Sequence, residues 1–163
     1  MKKAFVILIP IVLIGAFVYL IVLDKAAQNQ VQTKLTLQQE KAIANLGELQ
    51  GDTNTIAQYM KDEQMMQLMK IVFTLHCASC HSTQGTGLAG PSLCDDSYIT
   101  VKRLSDIFDV IEAGNIPKGM TPFKGVLSKT KIVLLSSYVA NLRGSSSTGR
   151  ISEGVLIDPW PQE

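Results

Sequence analysis

The chain has 163 residues, 46% of them hydrophobic, and its 15 basic and 14 acidic side chains leave a formal charge of +1. That length gives room for one ordinary domain plus appendages, and so even a charge balance argues against nucleic acid as a partner. Three cysteines cannot all pair within one chain, which excludes a fold stapled by disulfides.

Ala4 to Leu23 is an uninterrupted run of twenty uncharged residues. As a helix rising about 1.5 Å per residue it is long enough to cross a hydrocarbon core of roughly 30 Å. The rival reading, a cleaved signal peptide, calls for an apolar stretch of about 7 to 15 residues ending in a small-x-small site. Asp24-Lys25-Ala26-Ala27 matches such a site poorly, and Pro10 and Gly15 are tolerated in membrane helices. A transmembrane anchor is therefore expected over residues 1–25, with Lys2 and Lys3 in the cytoplasm and the remainder on the far side of the membrane. Residues 26–60 are rich in Gln, Asn and Thr, and Val31, Leu35, Ile43 and Leu46 are too sparse to build a core. They read as a polar spacer, either a solvated tether or a stalk with a short helix from Leu35 to Leu46, broken by Gly47 through Asn54.

From residue 61 the pattern changes. Met65, Leu68, Met69, Val72 and Phe73 recur at helical spacing behind Asp62 and Glu63, predicting a helix that ends at His76. A second helix is predicted from Val101 to Ala113, where Leu104, Ile107, Phe108 and Ile111 share one face and Gly114 follows as a stop. A loop bracketed by Pro117 and Pro122 comes next. A third helix is predicted from an N-cap at Ser128 to a stop at Gly144. Residues 145–163, with a Ser/Gly stretch and Asp158-Pro159-Trp160-Pro161, read as an irregular tail. The fold class expected is all-α: a small helical domain over 61–144, preceded by one transmembrane helix and a spacer.

Between the first and second helices lies Cys77-Ala78-Ser79-Cys80-His81. A C-x-x-C-H run is the attachment signature of c-type haem. Two thiols one helical turn apart can each form a thioether to a vinyl group, and the adjoining imidazole can ligate the iron. A zinc site built from Cys77, Cys80 and Cys94 with His76 or His81 is the competing use of these residues, and the contiguous His81 favours haem. For a sixth ligand, His76 adjoins Cys77 on the attached side and cannot reach across the ring. Met65, Met66 and Met69 fall on the apolar face of the first helix and read as packing. Met60 lies in the spacer. Met120, 39 residues beyond His81, is the main candidate, set in Ile116-Pro117-Lys118-Gly119-Met120-Thr121-Pro122-Phe123, where the prolines fix the backbone and Gly119 permits close approach.

Taken with Gly90-Pro91-Ser92-Leu93, Lys118-Gly119-Met120 and the helix Leu134 to Leu142, the motif makes residues 61–144 resemble a class I c-type cytochrome. The arrangement of Gly90-Pro91-Ser92-Leu93-Cys94-Asp95-Asp96 and Lys118-Gly119-Met120 is also similar to the C-terminal haem domain in the cytochrome c subunit of cbb-type haem-copper oxidases, a subunit that usually carries two haem motifs where this chain has one. The resemblance implies one covalent haem c on Cys77 and Cys80, iron ligated by His81 and Met120, and a Pro91 carbonyl that accepts a hydrogen bond from His81 Nδ1. It also implies that Phe73 and Tyr138 meet where the first and last helices cross. Two departures stand out: Met69 occupies a position where the family often has glycine, and Thr121 separates Met120 from the proline that commonly follows it directly. Cys94, left over, reads as a small buried hydrophobe or as an intermolecular link.

The function implied is single-electron transfer in a bacterial respiratory chain, by an anchored shuttle or a non-catalytic subunit of a terminal oxidase. The haem domain would lie on the periplasmic side of the inner membrane, with redox donor and acceptor proteins, oxidase subunits among them, as partners. Lys102, Arg103, Lys118, Lys124, Lys129 and Lys131 form either a basic docking ring or a scatter of solvated lysines. A haem-based gas sensor or ligand-binding protein, with a sixth ligand that leaves easily, is the alternative. No triad of Ser, His and Asp points to hydrolysis, so catalytic residues are not expected.

Overall fold

The computed structural model describes residues 17–26, 28, 30 and 37–160. The chain divides into two units, Met1–Asn45 and Leu46–Glu163. In the first, residues 17–26 and 37–45 are helical. Of the expected anchor, residues 1–16 lie outside the described residues, and among the described residues no helix is long and apolar enough to cross a membrane.

The second unit begins at Leu46, well ahead of the expected boundary at residue 61, because the end of the expected spacer folds onto the domain. Helix α1 spans Thr53–Met60. Asp52 starts it by accepting hydrogen bonds from the amides of Asn54 and Thr55, each at 3.0 Å. These bonds, with one from the Thr55 hydroxyl, hold the Asp52 carboxyl below its ordinary range. Ile56 is fully buried on the inner face of α1, and the Asn141 side chain donates to the Met60 carbonyl at 2.7 Å, closing the far end. Sequence reading missed α1 because one deeply buried side chain in eight residues gives no periodic signal.

Helix α2, Glu63–His76, is capped by Asp62 and buries Met65, Met69 and Phe73, one per turn. Helix α3, Ala78–His81, is a single turn. Helix α4, Leu104–Ala113, buries Leu104, Ile107, Phe108 and Ile111. It starts three residues later than the expected Val101 because the Asp106 carboxylate turns back to accept the amides of Lys102 and Arg103, at 2.8 and 3.0 Å. A short 3-10 turn covers Ile116–Lys118. Helix α5, Lys129–Leu142, is capped by Ser128 as expected and is covered on nearly every side by α1, α2 and α4. Its two fully buried hydroxyls, Ser136 and Ser137, donate to the carbonyls of Ile132 and Val133 one turn back, so neither is left unpaired. Phe73 of α2 meets Tyr138 of α5 with ring centroids 5.4 Å apart. Met69, noted above as a departure from the glycine common in the resembled family, is fully buried.

The segment expected to be an irregular tail is instead a strap. Val155–Leu156 (β2) pairs antiparallel with Ser97–Tyr98 (β1), aligning Ser97 with Leu156 and Tyr98 with Val155, so the architecture is mostly helical with one small strand pair. Arg143, buried at the end of α5, donates to the carbonyls of Ile157 and Asp158 at 2.9 and 2.8 Å and pairs with Asp96 at 2.6 Å. Trp160 lies under the Arg143 guanidinium, 4.7 Å from its ring centroid, stacks obliquely on Tyr98, and donates from Nε1 to the Ala140 carbonyl at 3.2 Å. Replacing Trp160 with alanine should destabilise the domain by about 3 kcal/mol, read as a lower chemical-denaturation midpoint. A loss below about 1 kcal/mol would mean that the strap lies outside the cooperative unit.

Candidate functional site

Helix α2 carries the chain directly into the C-x-x-C-H turn, the Cys77 amide still donating to the Phe73 carbonyl at 2.8 Å. Within the turn, the amides of Cys80 and His81 return to the Cys77 carbonyl at 3.1 and 2.9 Å. Ala78 is buried inward while Cys80 is exposed and Cys77 half-buried, both as free thiols. Burial, with a smaller effect from neighbouring Cys80, pushes the Cys77 thiol up to about 11.

A tightly bonded loop then folds back over the histidine. The Gly87 amide donates to the His81 carbonyl at 2.9 Å, and the amides of Leu88 and Gly90 both donate to the Cys80 carbonyl, at 3.0 and 2.8 Å. Gly90 lies flat against the imidazole: a Cβ there would sit 2.7 Å from His81 Cε1, too close for any side chain. The next residue places its carbonyl oxygen, Pro91 O, 2.9 Å from His81 Nδ1. A carbonyl only accepts, so Nδ1 carries the proton and Nε2 presents its lone pair. Burial lowers the His81 pKa, partly opposed by the Pro91 bond, which keeps the ring neutral and Nε2 available as a ligand.

Met120 lies in the loop between the 3-10 turn and α5, half-buried. Its amide and carbonyl both bond Asn115, at 3.0 and 2.9 Å, closing the loop by a backbone bridge without a proline directly after the methionine. Phe123 and Lys124 then hang from the end of α4 through amide bonds to Ile111 and Glu112, each at 3.1 Å. The Phe123 ring meets His76 edge-on, with centroids 5.9 Å apart. The Met120 loop is thereby tied to the residue that precedes Cys77. That pairing was not anticipated from sequence, although an aromatic three residues after the methionine and a histidine just before the motif were its available signals.

Cys77, Cys80, His81 and Pro91 thus form one contiguous group, with Met120 on a neighbouring loop joined to it through Phe123. Met65 and Met69 are buried in the core, and Met60 ends α1. Cys94 is buried, its thiol donating to the Gln84 carbonyl at 3.1 Å, a position that keeps this thiol from the surface and from a link between chains. Among the described residues no three His, Cys, Asp or Glu side chains converge as a metal-ion site.

Residues 63–139 match the family model described as cytochrome c oxidase, cbb3-type, subunit III. These residues form a class I c-type cytochrome domain. The chain is 33% identical over 122 residues to the cbb3-type cytochrome c oxidase subunit FixP of Bradyrhizobium sp. strain ORS 278. It is 32% identical over the same length to FixP of Bradyrhizobium diazoefficiens USDA 110. Each match covers 63% of this chain and 42% of the relative, so the chain spans less than half the length of those relatives. Among solved structures, cytochrome cL of Methylophaga aminisulfidivorans is similar, with 25% identity and a TM-score of 0.49 over 63% of this chain and 64% of that one.

A cytochrome c domain implies covalently bound haem c. The residues present fit it: two unpaired thiols one turn apart, and an imidazole whose Nε2 is left as an electron-pair donor by the Pro91 bond. The single C-x-x-C-H run of the sequence provides for one such group.

Proposed function

We propose that this chain is a membrane-anchored, monohaem cytochrome that passes single electrons in a respiratory chain, as a subunit of a cbb-type oxidase complex or as a shuttle serving one. The observation that carries the reading is the His81 Nδ1 to Pro91 carbonyl contact at 2.9 Å, which fixes tautomer and ring orientation together. Cys77 and Cys80 would hold the haem through thioethers, and His81 and Met120 would be the side chains that ligate its iron. The haem contributes a one-electron couple between ferric and ferrous iron. With His81 and Met120 both committed to the iron little would rearrange as the charge changes, and the bonded loop from His81 to Pro91 keeps the imidazole from turning.

The anchor formed by residues 1–25 places the domain on the periplasmic face of the inner membrane, following the basic residues Lys2 and Lys3. A ring of docking lysines finds little support, because several of its members have partners within the domain. Lys129 pairs with Glu48 and Gln50, Lys124 with Glu112, and Arg103 with Asp106. The partners proposed are a redox donor and an acceptor, oxidase subunits among them.

Purification from the native membrane in mild detergent tests the whole reading. Expected are a covalent haem that survives denaturing electrophoresis, reversible one-electron reduction, slow or absent CO binding to the reduced protein, and co-purifying oxidase subunits. Isolation as a solitary red protein would favour the shuttle. Rapid CO binding would sink the carrier reading in favour of a gas sensor with a displaceable sixth ligand.

A further inference from the structure

The loop that delivers the Pro91 carbonyl to His81 is bonded on its inner side to the C-x-x-C-H turn, as described above. Its outer side has a different partner. Thr86 and Leu88 turn their carbonyls outward, and both are taken by one residue of the strap. The Arg150 amide donates to the Thr86 carbonyl at 2.9 Å, and Arg150 Nη1 donates to the Leu88 carbonyl at 2.7 Å. Between them, Gly87 lies so close that a Cβ on it would stand 2.9 Å from Arg150 Cβ and 2.8 Å from the Ser92 amide nitrogen. The guanidinium is itself steadied by Glu153, with Nε 2.7 Å from Oε1. One residue therefore pins the loop at two points, its backbone amide on Thr86 and its guanidinium on Leu88, and Leu88 is two residues from Gly90, which lies on the imidazole, and three from Pro91.

We propose that Arg150 is a positioning residue for the iron ligand: by fixing Thr86 to Leu88 from outside, it holds the Pro91 carbonyl on His81 Nδ1. This rests on the reading of His81 as the proximal ligand. A guanidinium bond to a carbonyl is charge-assisted and short, whereas a loop with three glycines has few side chains of its own to restrain its backbone. When the staple is released, the loop opens more often, the Nδ1 bond is broken for a larger share of the time, and the imidazole donates less electron density through Nε2. The ferric state then loses stabilisation and the midpoint potential rises.

The full chain carrying its haem supplies the test. Arg150→Met keeps the apolar stem over Gly87 and the backbone bond to Thr86 and removes the guanidinium donor to Leu88; Arg150→Lys keeps a cationic donor. In the reduced protein, exchange of the His81 Nδ1 proton measured by NMR should accelerate about tenfold in Arg150→Met. The reduced-to-oxidised ratio at the wild-type midpoint should rise about threefold, and Arg150→Lys should return most of both changes. The inference is overturned if exchange and midpoint stay at wild-type values while only the denaturation midpoint falls, or if the Met and Lys variants behave alike. A wild-type protein whose spectra show no histidine ligation would overturn the reading of His81 as well. Unchanged exchange in a protein with ligation intact overturns the role of Arg150 alone.

Discussion

Met120→Ala should lower the reduction potential on the order of 0.1 V or more, within the roughly 0.8 V range that axial ligands control. It should also abolish the thioether-to-ferric-iron absorption band and make the reduced protein bind CO rapidly. A thioether sulfur is a soft donor that favours ferrous iron, so its removal stabilises the ferric state. The loop should survive the substitution, because its closure lies in the backbone: Asn115 bonds both the amide and the carbonyl of residue 120, and alanine keeps both. The edge-on contact of Phe123 with His76 is also untouched, so the variant reports on ligation and leaves the fold in place. Optical spectra and a potentiometric titration of both proteins decide the matter. If the wild type lacks the band, or if the variant keeps it, the sixth ligand is another residue. Met60 would then be the next to replace.

Replacing Cys77 and Cys80 together with alanine should remove covalent haem completely, seen as loss of haem staining after denaturing electrophoresis. Covalent capture needs a thiol at each position, and the α3 turn presents these two on one side of the chain with Ala78 buried behind them. Because the domain is built to close around its cofactor, the double variant should also be less stable than the loaded protein, by the linkage between binding and folding. Cys94→Ser is the control. Its hydroxyl can take over the bond from the thiol to Gln84, and attachment should proceed as in the wild type. Haem retained in the double variant but lost in Cys94→Ser would refute the assignment of the motif.

The parts of the fold that could be read from sequence are those with a periodic apolar face and a polar cap. Met65, Met69 and Phe73 behind Asp62, Leu104 to Ile111 ahead of Gly114, and the Ser128 start of α5 all became helices of nearly the expected extent. The turn from Cys77 to His81 could be singled out as the candidate attachment site because covalent chemistry demands contiguous residues. The Pro91 contact came from resemblance, since nothing in the residue types alone pairs positions 81 and 91. Helix α1 and the strap were not legible, for a common reason. Each is held by a few long-range bonds, such as Asn141 to Met60 and Arg143 to Ile157 and Asp158, and such bonds leave no repeat in the sequence. A lone tryptophan in a stretch rich in Ser, Gly and Pro was the one hint, because a ring of that size is seldom left in water without a reason.

The strap also sets an order of events during synthesis. Chains are made from the N-terminus, and Arg150, which fastens the loop over His81, emerges about 60 residues after that loop. Until Arg150 is free to reach Thr86 and Leu88, the C-x-x-C-H turn can form locally but the cover above it has no outer restraint. The outer restraint on the loop over His81 is therefore among the last parts of the domain to be made.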